Sequence, residues 1–113
     1  MDCVFCKIVA GEIPADILYR DEEVIVFRDI HPLAPIHLLI IPGKHIASLV
    51  QLSEAKSSLI GNMVNTAKQL AKREGIAESG YRLVINCGAQ GGQLVPHLHM
   101  HLLGGRQLSG ALG

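Results

Sequence analysis

There is no tryptophan in this 113-residue chain, and only two tyrosines and two phenylalanines. The core must therefore be aliphatic, and any pocket for an aromatic base would be lined mainly by Ile, Leu and Val. Charge is scarce as well. Lys, Arg, Asp and Glu make up 18% of residues and cancel to a formal net charge of zero. That balance leaves no basic stripe of the kind that long nucleic acids require. Disorder is excluded from the other side, because 49% of residues are hydrophobic. No apolar run approaches the length needed to span a bilayer. Residues 1–20 lack a basic segment leading into a long apolar one and carry Asp2, Glu12 and Asp16, so they do not read as a signal peptide. Three cysteines, an odd number, do not make a secreted disulfide framework. The expected compartment is the cytosol, and the length fits one domain.

The pattern along the chain predicts an α+β domain. Cys3 to Gly11 reads as a short helical turn. Ile17–Arg20 and Val24–Asp29 read as strands of a hairpin around Asp21-Glu22-Glu23. Two prolines make 31–35 a loop. His37–Ile41 is an apolar strand ended by Pro42-Gly43, with both faces covered. One long helix is expected over about Glu54–Glu74, with Ser53 as N-cap and Leu59, Met63, Ala67 and Leu70 on its apolar face. Strands are expected again over Tyr81–Cys87 and Leu98–Leu103, with a glycine-rich loop, Gly88–Gln93, between them. Five strands with one long and one short helix give an antiparallel sheet in a single domain, 1–113, with a tail from about residue 103.

What is abundant is histidine, with six residues. In Val95-Pro96-His97-Leu98-His99-Met100-His101-Leu102-Leu103, histidine alternates with apolar residues. On a strand, side chains alternate between faces, so His97, His99 and His101 would share one face about 6.6 Å apart. Leu98, Met100 and Leu102 would pack on the other. Three imidazoles on one face need partners for six ring nitrogens, which is costly without a function. Two chemistries suit them. One is a metal site, since two such histidines can share a zinc with a third ligand. The other is phosphoryl transfer, in which a neutral imidazole attacks and its neighbours move protons. The glycines of Gly88-Ala89-Gln90-Gly91-Gly92-Gln93 would free main-chain N–H groups to cradle phosphate oxygens.

The segment His97-Leu98-His99-Met100-His101-Leu102-Leu103 resembles the signature of the histidine triad family at every position. Asp29-Ile30, Pro35-Ile36-His37 and Ile41-Pro42 resemble the family's other landmark. Leu103-Gly104-Gly105-Arg106-Gln107 resembles its nucleotide-binding branch, in a bacterial-like form, rather than the branch acting on dinucleoside polyphosphates. The resemblance covers about Cys3 to Arg106. It implies a purine nucleoside phosphoramidase acting on adenylate joined to an amine or lysine, with no cofactor needed for catalysis, in a homodimer whose sheets join. His99 would be the nucleophile, forming a nucleotidyl-imidazole, with His97, His101 and His37 orienting it and moving protons. Asp29 would hold the ribose beside Ile30. Asn86, Gly92 and Gln93 would bind the α-phosphate. Val4, Phe5, Ile8, Ile13 and Phe27 would line the purine pocket. Leu94 stands where this branch often carries a hydroxyl residue, so only its main chain would reach phosphate, and Pro96 replaces a common aromatic.

Cys3-Val4-Phe5-Cys6 is a Cys-x-x-Cys, which by itself fits zinc, redox chemistry or chance. The resemblance adds that some relatives hold a structural zinc with such a pair plus two histidines, here His45 and His97. No membrane partner and no long nucleic acid are expected. A non-catalytic nucleotide-binding or scaffolding module, a dinucleoside polyphosphate hydrolase, and a protein whose histidines only bind zinc are the alternative readings.

Overall fold

The computed structural model describes residues 3–113. Its elements are α1 (Val4–Val9), β1 (Ile17–Arg20), β2 (Val24–Arg28), β3 (Ile36–Pro42), α2 (Ser58–Arg73), β4 (Tyr81–Val84) and β5 (Met100–Gly104). The five strands form one antiparallel sheet in the order β1-β2-β3-β5-β4. The α+β expectation holds, with a five-stranded sheet, one long helix and one short one.

The two faces of the sheet are covered separately. Val24, Val26, Leu38, Ile40, Met100 and Leu102 lie under α2, which buries Leu59, Met63, Ala67, Leu70 and Ala71 against them. Each fully buried large side chain there contributes about 1.5–3 kcal/mol relative to exposure. Ile25, Phe27, Leu39 and Ile41 lie on the other face, under Phe5 and Ile8 of α1. Strand β3 is thus apolar on both sides because both sides are covered. His37 belongs to the α1 face by its spacing from Leu39, and His101, which pairs with Leu39, belongs there too.

The boundaries depart most from the sequence reading at three elements. The long helix begins at Ser58; residues 54–56 form a separate 3-10 turn, and Ser53 makes no side-chain cap. A 3-10 entry tightens the first turn and aims the helix at the sheet without a capping hydroxyl. Strand β4 stops at Val84, because Asn86 and Cys87 turn into the glycine loop. Strand β5 starts only at Met100. His97 N–H instead closes a tight turn on the Val95 carbonyl (2.8 Å), and Leu98 N–H bonds to the Ile46 carbonyl (2.6 Å). Leu98, Met100 and Leu102 are buried in the α2 core as the alternation required.

Candidate functional site

The three alternating histidines do not stand in one row. His97, outside the strand, is completely buried and turns toward the N-terminus. Its Nδ1 lies 3.3 Å from Cys3 Sγ and 3.6 Å from Cys6 Sγ, and its Nε2 donates to the Pro42 carbonyl at 2.9 Å. Cys6 Sγ lies 3.3 Å from His45 Nδ1. The short helix creates this approach. Cys3 is its N-cap, accepting the Cys6 N–H on sulfur, so the two thiols face the same way. The four donor atoms all lie within 4.8 Å of one another. Ligand atoms around a tetrahedral zinc with Zn–S of about 2.3 Å and Zn–N of about 2.0 Å sit roughly 3.5 Å apart. The donor spacing matches such a cage. The Pro42 carbonyl fixes the His97 tautomer that leaves Nδ1 free for a metal, as second-shell partners do.

His99, His101 and His37 form a second cluster on the α1 face. His99 is buried, with its Nδ1 donating to the His97 carbonyl at 2.7 Å. A carbonyl can only accept, so the proton of neutral His99 sits on Nδ1 and Nε2 carries the lone pair. The rings of His99 and His101 lie 5.0 Å apart between centroids. His37 and His101 sit diagonally on neighbouring strands, since His37 pairs with Leu103 and Leu39 with His101. This brings His37 Nε2 to 2.9 Å from His101 Nδ1.

The direction of that hydrogen bond is set by a main-chain group. Leu33 N–H donates to His37 Nδ1 at 3.1 Å. Neutral His37 must then be protonated on Nε2, donate to His101 Nδ1, and leave His101 with its proton on Nε2. Burial pushes the basicity of His37 down, offset in part by the Asp29 carboxylate, whose Oδ2 lies 3.4 Å from His37 Nε2. Burial, with help from the neighbouring His99 and His37, pushes His101 down to about 4. Both are therefore neutral at pH 7. Asp29, His37 and His101 also offer three donor atoms close together. The 2.9 Å between His37 and His101 is a hydrogen-bond length, shorter than the roughly 3.3 Å between nitrogens on a shared zinc, so a hydrogen-bonded pair describes it better.

Phe5 stands edge-on to both clusters. Its ring is 5.8 Å from His97 and 5.2 Å from His99, at 72° and 87°. It also packs on Phe27 at 5.5 Å. Phe5, Ile8 and Phe27 are buried, whereas Ile30 and Leu94 are 82% and 92% exposed. Of the residues expected at the purine pocket, Phe5, Ile8 and Phe27 form a packed floor, while Val4 is exposed and Ile13 half-buried. Asp29 Oδ1 accepts the His31 N–H, which ties its loop.

The glycine loop is held by its own side chains. Asn86 Nδ2 donates to the Gly91 carbonyl at 2.7 Å. Gln93 accepts the Gly88 N–H on Oε1 and spends both amide hydrogens on the carbonyls of Ala47 and Val95. Gln93 thus shapes the loop and, in this arrangement, offers no amide hydrogen to a ligand. Gly91 is required sterically, because a Cβ there would lie 2.4 Å from the Cys87 carbonyl oxygen. Gly92 has φ +81°, a left-handed conformation open to glycine. Cys87 is half-buried and not a core residue. Sequence reasoning missed the groups that orient the imidazoles: the Leu33 N–H and the carbonyls of Pro42 and His97. Main-chain partners leave no residue-type signal.

Comparison with known proteins identifies the family and the fold. Residues 2–112 match the family model described as scavenger mRNA decapping enzyme C-term binding. The chain is 50% identical to the purine nucleoside phosphoramidase of Escherichia coli over 107 residues, covering 95% of this chain and 90% of that protein. It is also 50% identical over 108 residues to an uncharacterized HIT-like protein of Synechococcus elongatus, covering 96% and 94%. Among solved structures, a HIT family hydrolase from Legionella pneumophila superposes with a TM-score of 0.96 at 52% identity, covering 99% of this chain and 100% of that one. A histidine triad protein from Clostridium difficile gives 0.96 at 40% identity, covering 99% and 97%.

Proposed function

The chain belongs to the histidine triad family of hydrolases, and from that premise we propose that it hydrolyses the P–N bond of purine nucleoside 5′-phosphoramidates. The name of its relative from Escherichia coli supports the substrate class. The observation that carries the reading is the tautomer of His99, whose Nδ1 proton is committed to the His97 carbonyl and whose Nε2 is left as a base and nucleophile.

His99 Nε2 attacks phosphorus, forming a P–N bond to the imidazole as the bond to the leaving amine breaks. The leaving nitrogen takes its proton from solvent as that bond breaks, while the Nε2–H of neutral His101, kept pointing outward by the Leu33–His37–His101 hydrogen-bond chain, donates a hydrogen bond that steers the departing amine. Water then attacks the nucleotidyl-imidazole. The water's proton passes to solvent, and the nucleoside monophosphate leaves with His99 restored. The N–H groups of Gly92 and Gln93 close the loop on the Ala89 and Gly88 carbonyls, so the next one, of Leu94, would stabilise charge on the phosphoryl oxygens. Asp29 and the exposed Ile30 hold the ribose and base edge, over the floor made by Phe5, Ile8 and Phe27.

Cys3, Cys6, His45 and His97 would hold a zinc ion with no open position, so the metal would brace the N-terminus against the site and take no part in the reaction. Three free thiols fit a reducing compartment such as the cytosol. The unpaired outer edge of β4, whose residues are all half-buried, is where a second copy would extend the sheet into a homodimer. Among the described residues, no helix is long and apolar enough to cross a membrane.

The deciding experiment is steady-state hydrolysis of a fluorogenic adenosine 5′-phosphoramidate, with trapping of the nucleotidyl adduct. Turnover with a phosphorus–histidine adduct on His99 is the expected result. A folded protein that binds AMP without turnover would favour a nucleotide-binding module and direct attention to Leu94.

A further inference from the structure

The turn that follows β5 is fastened to the loop that precedes β3. In the sheet, Ile36 pairs with Gly104, so residues 105–106 leave the sheet alongside residues 33–35. Gly105, at φ +93°, sits so close that an added Cβ would lie 3.0 Å from Pro35 Cβ. Next to it, the Arg106 guanidinium donates from Nη2 to the Leu33 carbonyl at 2.9 Å and from Nη1 to the Gln107 carbonyl at 3.1 Å.

Leu33 is the residue whose N–H caps His37 Nδ1. Its side chain is 70% exposed and cannot anchor it in the core. No other hydrogen bond among the described residues reaches Leu33. Its N–H belongs to one peptide plane and its carbonyl to the next, so holding both fixes the backbone rotation between them. Without the guanidinium, the carbonyl plane is free to rotate and the N–H loses its aim. His37 could then carry its proton on either nitrogen, with only the Asp29 carboxylate 3.4 Å from Nε2 still favouring that one. With the proton on Nδ1, Nε2 has nothing to donate to His101.

We infer that Arg106 is a positioning residue for the histidine hydrogen-bond chain: by clamping the Leu33 carbonyl it locks His37 in the Nε2–H tautomer that orients His101. The consequence for turnover rests on the phosphoramidase reading; the consequence for the tautomer does not. Arg106 itself is exposed and touches none of the imidazoles.

The test is Arg106→Ala, with Arg106→Lys beside it, in two measurements. The first is ¹⁵N NMR of the histidine ring nitrogens in the ligand-free protein. Wild type is expected to show His37 as a single Nε2–H tautomer and Arg106→Ala a mixture. Arg106→Lys, which keeps one charged donor, should recover part of the wild-type pattern. The second is steady-state kinetics, where Arg106→Ala should lower kcat about tenfold with KM unchanged, the scale of one lost charge-assisted hydrogen bond. A His37 that stays locked in Arg106→Ala would overturn the clamp. A tautomer mixture with unchanged kcat would overturn its link to the reaction. If wild type hydrolyses no phosphoramidate, the functional reading falls while the NMR result still decides the clamp.

Discussion

His99 Nδ1 and the carbonyl oxygen of His97 are 2.7 Å apart, two residues along one chain, and they join the two histidine clusters. The imidazole of His97 faces the cysteines while its carbonyl sets the tautomer of His99, the proposed nucleophile. Whatever holds His97 in place therefore also aims His99.

Replacing that nucleophile should be close to fatal for turnover. His99→Ala is expected to lower kcat by about 10⁴- to 10⁶-fold, as loss of a nucleophile from a concerted unit does. AMP affinity by calorimetry should change little. Retention of more than a tenth of wild-type turnover would move the nucleophile elsewhere.

The buried imidazoles make stability pH-dependent. His101 is held to about 4 in the fold against an ordinary 6.5, and His37 is lowered as well, with Asp29 working against the shift. Between those values the unfolded chain binds more protons, so stability is fully present above about pH 6.5 and falls as pH drops toward 4. The His101 step has an upper bound of about 3 kcal/mol. Denaturant titrations at pH 7, 5.5 and 4.5 should show a falling midpoint, and His101→Gln should flatten the fall. A midpoint that holds constant would mean the folded imidazoles protonate as readily as unfolded ones.

Native mass spectrometry should find one zinc per chain, lost in Cys3→Ser/Cys6→Ser. Chelation should lower Tm by about 10 °C or more, since metal binding energy is folding energy. Hydrolysis by protein that remains folded should persist. Activity that vanishes with the metal and returns on adding it back, with no change in folding, would make the metal catalytic.

Gly91→Ala should disturb the glycine loop proposed to cradle phosphate. Its Cβ would collide with the Cys87 carbonyl oxygen, and main chain cannot yield as a flexible side chain can. The expected cost is about 1–3 kcal/mol of stability. KM should rise more than kcat falls. A variant with wild-type Tm and KM would show that the loop has another accessible conformation.

Much of this molecule is written in local pattern. Alternation placed Leu98, Met100 and Leu102 in the core and His99 and His101 on the opposite face, because the period of an extended chain is two. The apolar run of β3 announced a strand covered on both sides, and helical spacing picked out Leu59, Met63, Ala67 and Leu70. The same alternation put His97 in a row with its neighbours, and there the structure departs. A turn at Val95 and a bond from Leu98 N–H to Ile46 take residues 97 and 98 out of the strand.

The sequence by itself determined which side chains share a face, His97 excepted, and the identity of the candidate ligands and nucleophile with the glycines beside them. Tertiary structure alone decided which nitrogen of each imidazole carries the proton. That choice depends on Pro42, His97 and Leu33 main-chain groups, on Cys3 packed against a histidine 94 positions away, and on Arg106 reaching back 73 residues to a carbonyl. Side-chain direction follows from local backbone period, but a proton's place on a ring follows from whichever donor or acceptor the folded chain brings within about 3 Å, and residue type does not encode that.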